Sequence, residues 1–320
     1  MPRRVPRVSV VIPTRDRARL VVRAIRSVLA QTVEDLELIV VDDGSTDDTA
    51  QLIGGIEDPR IQLITHDTPR GGAAARNTGI QASRAALVAF LDSDDEWLPR
   101  KLERQLAALE AAPPHTGVAC AWATWIDGTG EEVDVSAPTL QGRVHAALLH
   151  SCHVGTTSTL LIRRADLDRV GGFDESLPAA QEWDLCIRLS RSTDFVTVPE
   201  VLVRYATSGD RITSDRDAVV RGHAAILDKH GEAIAAQGSD LEAVHHFRLG
   251  SLLCLARRME EGRAELATAV RQNPRHPKYI AGWTASQMGP AAYRSLTRGN
   301  RALRRWLRRW RHGLAGWAAR

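Results

Sequence analysis

Four short apolar runs, Val8–Ile12, Leu36–Val41, Ile61–Ile64 and Ala86–Leu91, begin about 25 to 28 residues apart, each followed by turn residues and then a helical pattern. Apolar runs of this length without alternation fit strands buried on both faces, so the spacing predicts βα units of a parallel sheet covered by helices. Between the first two runs, Leu20, Val21, Ala24, Ile25, Val28 and Leu29 recur on one helix face, the face that packs on the sheet. Pro99 stands where a further helix would start, and its stripe Leu102, Leu106, Leu109 stops before Pro113-Pro114. Val118–Ile126 and Glu131–Val135 flank Asp127-Gly128-Thr129-Gly130, which predicts a hairpin outside the parallel core.

Beyond the hairpin the βα rhythm is lost. Thr159–Ile162, a helix from about Gln181 to Ser190, and extended pieces at Phe195–Val198 and Val201–Tyr205 complete the first part. From about Ala218 the residues favour helix. Small residues at Gly250, Ala256, Gly262, Ala264, Ala267 and Ala269, followed by Asn273-Pro274, fit one tetratricopeptide-like hairpin or an ordinary helical one. The expected division is 1–217, a helical segment 218–290 and a C-terminal helix 291–320.

Charge separates the tail from the body. Residues 271–320 carry 12 Lys/Arg and no acid, which leaves 30 basic against 39 acidic residues in the remainder. In the tail Leu303, Trp306, Leu307, Trp310, Leu314 and Trp317 share one helix face, with Arg304, Arg305, Arg308, Arg309 and Arg311 over most of the rest. That pattern suits a helix lying on an anionic membrane surface, or one docked on its own domain; the acidic body argues against nucleic acid. Cys120, Cys152, Cys186 and Cys254 show no metal or disulfide spacing and read as reduced. The absence of a long apolar run or a signal-peptide core implies a cytoplasmic chain, peripheral at the membrane if the tail binds there.

An open parallel sheet binds its ligand beyond the carboxyl ends of its strands. Here those ends read Pro13-Thr14-Arg15-Asp16, Asp42-Asp43-Gly44-Ser45 and Asp92-Ser93-Asp94-Asp95. Acids crowded at one edge need a positive partner, and a hard divalent cation shared with phosphates supplies one. Gly71-Gly72 opens a helix whose free N–H groups and Arg76 suit an anion. Neither a GxGxxG fingerprint nor a GxxxxGK[ST] loop occurs.

Val8–Arg17, Val41–Asp47, Arg70–Asn77 and Phe90–Trp97, with Gly171-Gly172-Phe173-Asp174-Glu175 and Gln181-Glu182-Trp183-Asp184-Leu185, resemble family 2 glycosyltransferases of the GT-A fold over about residues 5–215. The resemblance implies an α/β fold with a mostly parallel sheet flanked by helices, and inverting transfer of a sugar from a nucleotide diphosphate, a UDP-sugar being the first choice. It implies that Pro13, Thr14, Arg15, Asp43 and Arg76 hold base and ribose, Asp92 the ribose, and Asp94 a magnesium or manganese ion bridging the phosphates. Glu182 occupies the position of the family's base, usually an Asp, and Asp184 is the substitute. On a helix i and i+2 point about 200° apart, so only one of the two can enter a cleft.

The chain departs from the pattern in having Arg15-Asp16 where many relatives have Tyr-Asn, and in lacking a His after the late strand. A guanidinium plane also stacks on a base, but no third metal ligand follows. The implied acceptor is a saccharide or lipid-linked sugar in cell-surface polysaccharide or glycolipid assembly. Two other classes compete. A nucleotidyltransferase would carry a glycine-rich loop directly after the first strand, where this chain has Pro13-Thr14-Arg15-Asp16. A non-catalytic sugar-nucleotide scaffold would have no need for carboxylates at 92, 94 and 182.

Overall fold

The chain folds as two units, divided between Arg211 and Ile212, in a computed structural model that describes residues 5–207 and 215–297. The first unit runs β1 (Val8–Thr14), α1 (Ala18–Leu29), β2 (Leu36–Asp42), α2 (Thr49–Gly54), β3 (Ile61–Thr65), α3 (Gly72–Ala82), β4 (Leu87–Phe90), β5 (Glu96–Trp97) and α4 (Lys101–Ala111). It continues through β6 (Thr116–Ile126), β7 (Glu132–Ser136), α5 (His145–His150), β8 (Leu161–Arg163), α6 (Arg164–Val170), α7 (Gln181–Leu189) and β9 (Asp194–Ala206).

One nine-stranded sheet has the order β3-β2-β1-β4-β8-β6-β9-β5, with β7 paired to β6. The β3-β2-β1-β4 part is parallel. β8 runs antiparallel to both β4 and β6, and β6 is parallel to β9. The sheet is therefore mixed, with β1, β2, β3, β4, β6 and β9 running one way and β5, β7 and β8 the other. Two reversals cancel, so β6 and β9 point their carboxyl ends to the same edge as β1, β2 and β4.

The strand expected in a hairpin outside the core stands instead inside this sheet. Its stretch from Val118 to Ala121 is fully buried, as befits a strand covered on both faces and flanked by β8 and β9. The hairpin partner β7 is the exposed addition. The two extended pieces after α7 form the single strand β9, whose register against β6 shifts around Pro199-Glu200.

Helix α1 buries Val21, Ala24, Ile25 and Val28 against Val8, Val10, Ile12, Leu38 and Val40. On the other face Ala75 of α3 meets Ile39 and Val41. Helix α3 lies so close to β1 that a Cβ on Gly79 would stand 2.3 Å from Val11 Cγ1, so only glycine fits there. Under β5, Lys101 is wholly buried, with Nζ 3.8 Å from the Trp97 ring centroid and donating to Gln105 Oε1 at 2.7 Å. Burial pushes its pKa well down.

The second unit is helical: α8 (Arg216–Ala235), α9 (Ser239–Leu255), α10 (Met259–Gln272), α11 (Pro277–Gln287) and helical residues 290–297. Small residues let the helices cross closely. A Cβ on Gly250 would lie 2.8 Å from the Gly262 carbonyl oxygen, and one on Gly262 would lie 2.5 Å from Cys254 Sγ. Gly282 of α11 stands as close to the Phe247 ring. All four cysteines are free thiols. Among the described residues no helix is long and apolar enough to cross a membrane. The Trp/Leu face from Leu303 to Trp317 lies outside the described residues.

Candidate active site

The loops after β1 and β2 are clipped together. Asp16, at φ +47°, donates its N–H to Ser45 Oγ at 2.9 Å and accepts from Thr46 N at 2.7 Å. Arg17 N–H donates to Thr49 Oγ1. These bonds fix the turn Pro13-Thr14-Arg15 over the sheet edge, with Arg15 largely exposed. Pro13 costs no ladder bond with β4, because that pairing stops at Val11.

Thr14 and Asp42 are register partners at this edge. Thr14 Oγ1 and Asp42 Oδ2 are both buried without a hydrogen-bond partner among the described residues. Buried polar atoms left in this way are costly unless a ligand meets them. Asp42 lies within the Val41–Asp47 motif beside Asp43, the residue to which the resemblance gives the nucleotide-binding role.

Asp43 is buried and well supplied. Its Oδ1 accepts from Arg70 N at 2.8 Å and faces His66 Nδ1 at 2.8 Å, and Oδ2 accepts from Gly71 N at 2.7 Å. Burial opposes its charge, but Arg70, His66 and Gly71 outweigh it and hold the carboxyl below its ordinary value. A carboxylate offers about four acceptor sites, so one remains. The bond to Gly71, at φ +94°, also sets the start of α3.

Arg76, one turn into α3, reaches the centre of the edge. Its Nη2 donates to Asp92 Oδ1 at 2.5 Å, its Nη1 donates to Gln181 Oε1 at 3.2 Å, and its guanidinium lies 5.4 Å from the Phe173 ring centroid. The next residue, Asn77, accepts from Phe173 N and donates to Phe173 O. The Arg-Asn and Gly-Gly-Phe motifs, distant in sequence, are thus one contact.

After β4 the three acids differ. Asp92 pairs with Arg76. Asp94 Oδ2 lies 3.0 Å from Arg17 Nη1. Asp95 is fully buried; it accepts from Ser158 Oγ at 2.6 Å and Ala206 N at 3.1 Å, tying the loop to the end of β9. Burial, with the charges of Asp92 and Asp94, pushes the Asp95 carboxyl well up, and its bonds to Ser158 and Ala206 make it an anchor for the loop. Ser158 carried no signal in the sequence, because it sits alone in a three-residue helical turn, Thr157–Thr159.

Helix α7 begins after Ala180, at φ +60°. Glu182 is half-buried in its first turn. Burial pushes the Glu182 carboxyl up and the Asp92 charge adds to this, against its own backbone N–H and Arg76. Asp184 faces the other way. It has no exposed surface and is held by Arg188, whose Nε donates at 2.8 Å and whose remaining nitrogens bond the carbonyls of Val170 and Gly172. The edge therefore brings together Pro13, Thr14, Arg15, Asp43, Arg76, Asp92, Asp94 and the start of α7, and leaves Asp184 inside.

The family model for glycosyl transferase family 2 matches residues 9–171. The succinoglycan biosynthesis protein ExoO of Rhizobium meliloti (strain 1021) is 45% identical over 109 residues, 34% of this chain and 31% of that protein. The UDP-Glc:alpha-D-GlcNAc-diphosphoundecaprenol beta-1,3-glucosyltransferase WfgD of Escherichia coli is 39% identical over 102 residues, 32% of this chain and 40% of that protein. The chain thus matches less than half the length of these relatives. Two solved structures share the fold: S. aureus TarS 1–349 in complex with UDP-GlcNAc, with a TM-score of 0.65, 16% identity and 92% of each chain covered, and the mannosyltransferase PcManGT from Pyrobaculum calidifontis in complex with GDP-Man and Mn2+, with a TM-score of 0.57, 19% identity and 92% and 87% covered.

Proposed function

The chain belongs to glycosyltransferase family 2, and we propose that it moves a sugar from a nucleotide diphosphate to an acceptor hydroxyl with inversion, in cell-surface polysaccharide or glycolipid assembly. The observation that carries this reading is the position of Arg76, which bonds Asp92 at the end of β4 and Gln181 beside Glu182 at once. One guanidinium thereby joins the edge that would hold the donor to the helix that would hold the base.

The unpartnered Thr14 Oγ1 and Asp42 Oδ2, the remaining acceptor site of Asp43, and the exposed Arg15 suit a base and ribose above β1 and β2. The N-terminus of α3 and Arg76 suit the diphosphate. A divalent cation fits beside Asp94, whose carboxylate already faces a positive group. No three His, Cys, Asp or Glu among the described residues form a metal cluster, so one or two carboxylates would bind it together with phosphate oxygens and water, as magnesium or manganese accepts. Such an ion, when bound, offsets the charge that gathers on the departing diphosphate.

Glu182 takes the proton of the acceptor hydroxyl as that oxygen attacks the anomeric carbon and the bond to the diphosphate breaks. Its raised pKa makes it a stronger base than an exposed glutamate, and its half-buried place leaves the carboxyl open to an acceptor hydroxyl. With Asp184 enclosed by Arg188, one carboxylate of α7 is left to act. A single base on that helix suits direct displacement. The names of ExoO and WfgD support a polysaccharide or lipid-linked acceptor, and WfgD and the TarS complex support a UDP-sugar donor. The basic Trp/Leu tail would bring the enzyme to the inner membrane face. The test is a thermal-shift screen against UDP-, GDP- and dTDP-sugars with manganese: one nucleotide class raises Tm, and no shift with any of them defeats the reading.

A further inference from the structure

Asp94 meets a second element besides its own loop. Arg17, the residue before α1, places Nη1 3.0 Å from Asp94 Oδ2 and 3.5 Å from Ser93 Oγ. Arg23, nearly two turns further along the helix, donates to the Asp94 carbonyl oxygen at 2.6 Å and pairs with Glu96 at 2.9 Å. The two contacts differ in kind. Arg23 holds the loop's backbone through a carbonyl oxygen, a contact that leaves the Asp94 carboxylate untouched. Arg17 faces a carboxylate oxygen for which a cation at Asp94 would compete.

The Arg17 backbone is fixed by its N–H bond to Thr49 Oγ1 and by the clip between Asp16 and the Ser45-Thr46 turn. Its side chain is about one quarter exposed and the Asp94 carboxylate one tenth, so the pair sits at the lip of the edge, next to the Pro13-Thr14-Arg15 turn. A guanidinium and a divalent ion at one carboxylate oxygen repel each other, and the repulsion is stronger in a part-buried site than in water. Two further anionic centres would become available only with a diphosphate.

We propose that Arg17 is the exchangeable counter-ion of Asp94. It neutralises the carboxylate while no donor is bound, gives that position up to the divalent ion, and turns to the diphosphate oxygens as a second cationic ligand. The inference rests on the reading of Asp94 as the residue that holds the donor's cation. It makes metal and nucleotide uptake cooperative: metal alone competes with Arg17 for Asp94, whereas metal with diphosphate also brings phosphate oxygens toward which Arg17 can turn. A coupling of this kind acts reciprocally on the two ligands.

The test is equilibrium binding to the full chain of Mn2+ alone, followed by its paramagnetic resonance, and of UDP and GDP with and without Mn2+, followed by calorimetry. Wild type, Arg17→Gln and Arg17→Lys are compared. Arg17→Gln should bind Mn2+ alone about fivefold or more tightly than wild type and bind nucleotide without metal more weakly by a similar factor, so the coupling between the ligands shrinks. Arg17→Lys should return both quantities part of the way. A tighter hold on metal cannot come from a loosened fold, so opposite signs exclude a merely structural role. Unchanged or weaker Mn2+ binding by Arg17→Gln would overturn the proposal. If wild type takes up neither nucleotide with or without Mn2+, the nucleotide-sugar reading itself falls, and the counter-ion proposal with it.

Discussion

Arg76 and Asp92 meet at 2.5 Å, joining α3, one turn in, to the carboxyl end of β4. The pair is only part-buried, so its own contribution to stability is modest, and its value is positional. It holds a guanidinium where a diphosphate would lie, already oriented by Gln181 and the Phe173 ring. Arg76→Ala should therefore weaken UDP or GDP binding by about ten- to a hundredfold, the range for a lost hydrogen bond to a charged group. Calorimetry at fixed Mn2+ checks this; an unchanged Kd would place the diphosphate elsewhere.

The environment of Glu182 makes a pH prediction. Its folded pKa is raised, so the base is protonated and inactive at pH values where an ordinary glutamate, near ~4.3, is already ionised. Turnover should fall as the pH drops through that raised pKa, putting the acid limb of the kcat profile above ~4.3. Glu182→Gln should keep donor affinity, lose about 10²–10⁴ in kcat, and show no such limb in its residual rate. A full acid limb in the Gln variant would assign the limb to another group.

Asp184→Asn separates the two acids of α7. It leaves Arg188 enclosed beside a neutral amide, and breaking a buried pair in this way costs roughly 3–5 kcal/mol. Denaturant unfolding should show that loss, while the folded fraction binds nucleotide with wild-type affinity. If Asp184→Asn keeps its stability but loses turnover, the roles of Glu182 and Asp184 must be exchanged.

For the basic tail, removing residues 300–320 should leave nucleotide affinity intact and weaken sedimentation with vesicles containing anionic lipid. The Trp/Leu face supplies interfacial burial, and the arginines add roughly 1 kcal/mol each near a negative surface. A truncated chain that melts much earlier, in a protein whose vesicle binding never exceeds background, would make the tail part of the fold.

The acidic edge is legible in the sequence because βα units carry their turns in fixed order, so Thr14, Asp42-Asp43 and Asp92–Asp94 must share one side of the sheet. The opposite orientations of Glu182 and Asp184 follow from helical geometry alone. The partner of Asp184 does not: Arg188 is one turn away and equally able to face solvent, and the carbonyls of Val170 and Gly172 join Asp184 in drawing it inward. The place of β6 is illegible for a different reason. Its turn signals predict a hairpin, while its pairing with β9 joins Val118 to Phe195, a contact no local pattern encodes. The same holds for Ser158 on Asp95 and for Arg17 on Asp94, contacts 63 and, from Arg17, 77 residues away along the chain.

The central claim is metal-assisted transfer from a nucleotide sugar at the edge formed by Asp43, Arg76, Asp92 and Asp94. The most direct measurement is release of nucleoside diphosphate from a panel of UDP-, GDP- and dTDP-sugars, in the presence of a crude lipid-linked saccharide fraction, with Mn2+ or with chelator, for wild type and Asp94→Ala. The account predicts release from one nucleotide class by wild type with Mn2+, and its loss both with chelator and in the folded Asp94→Ala variant. Equal release by that variant under saturating donor and metal would contradict it.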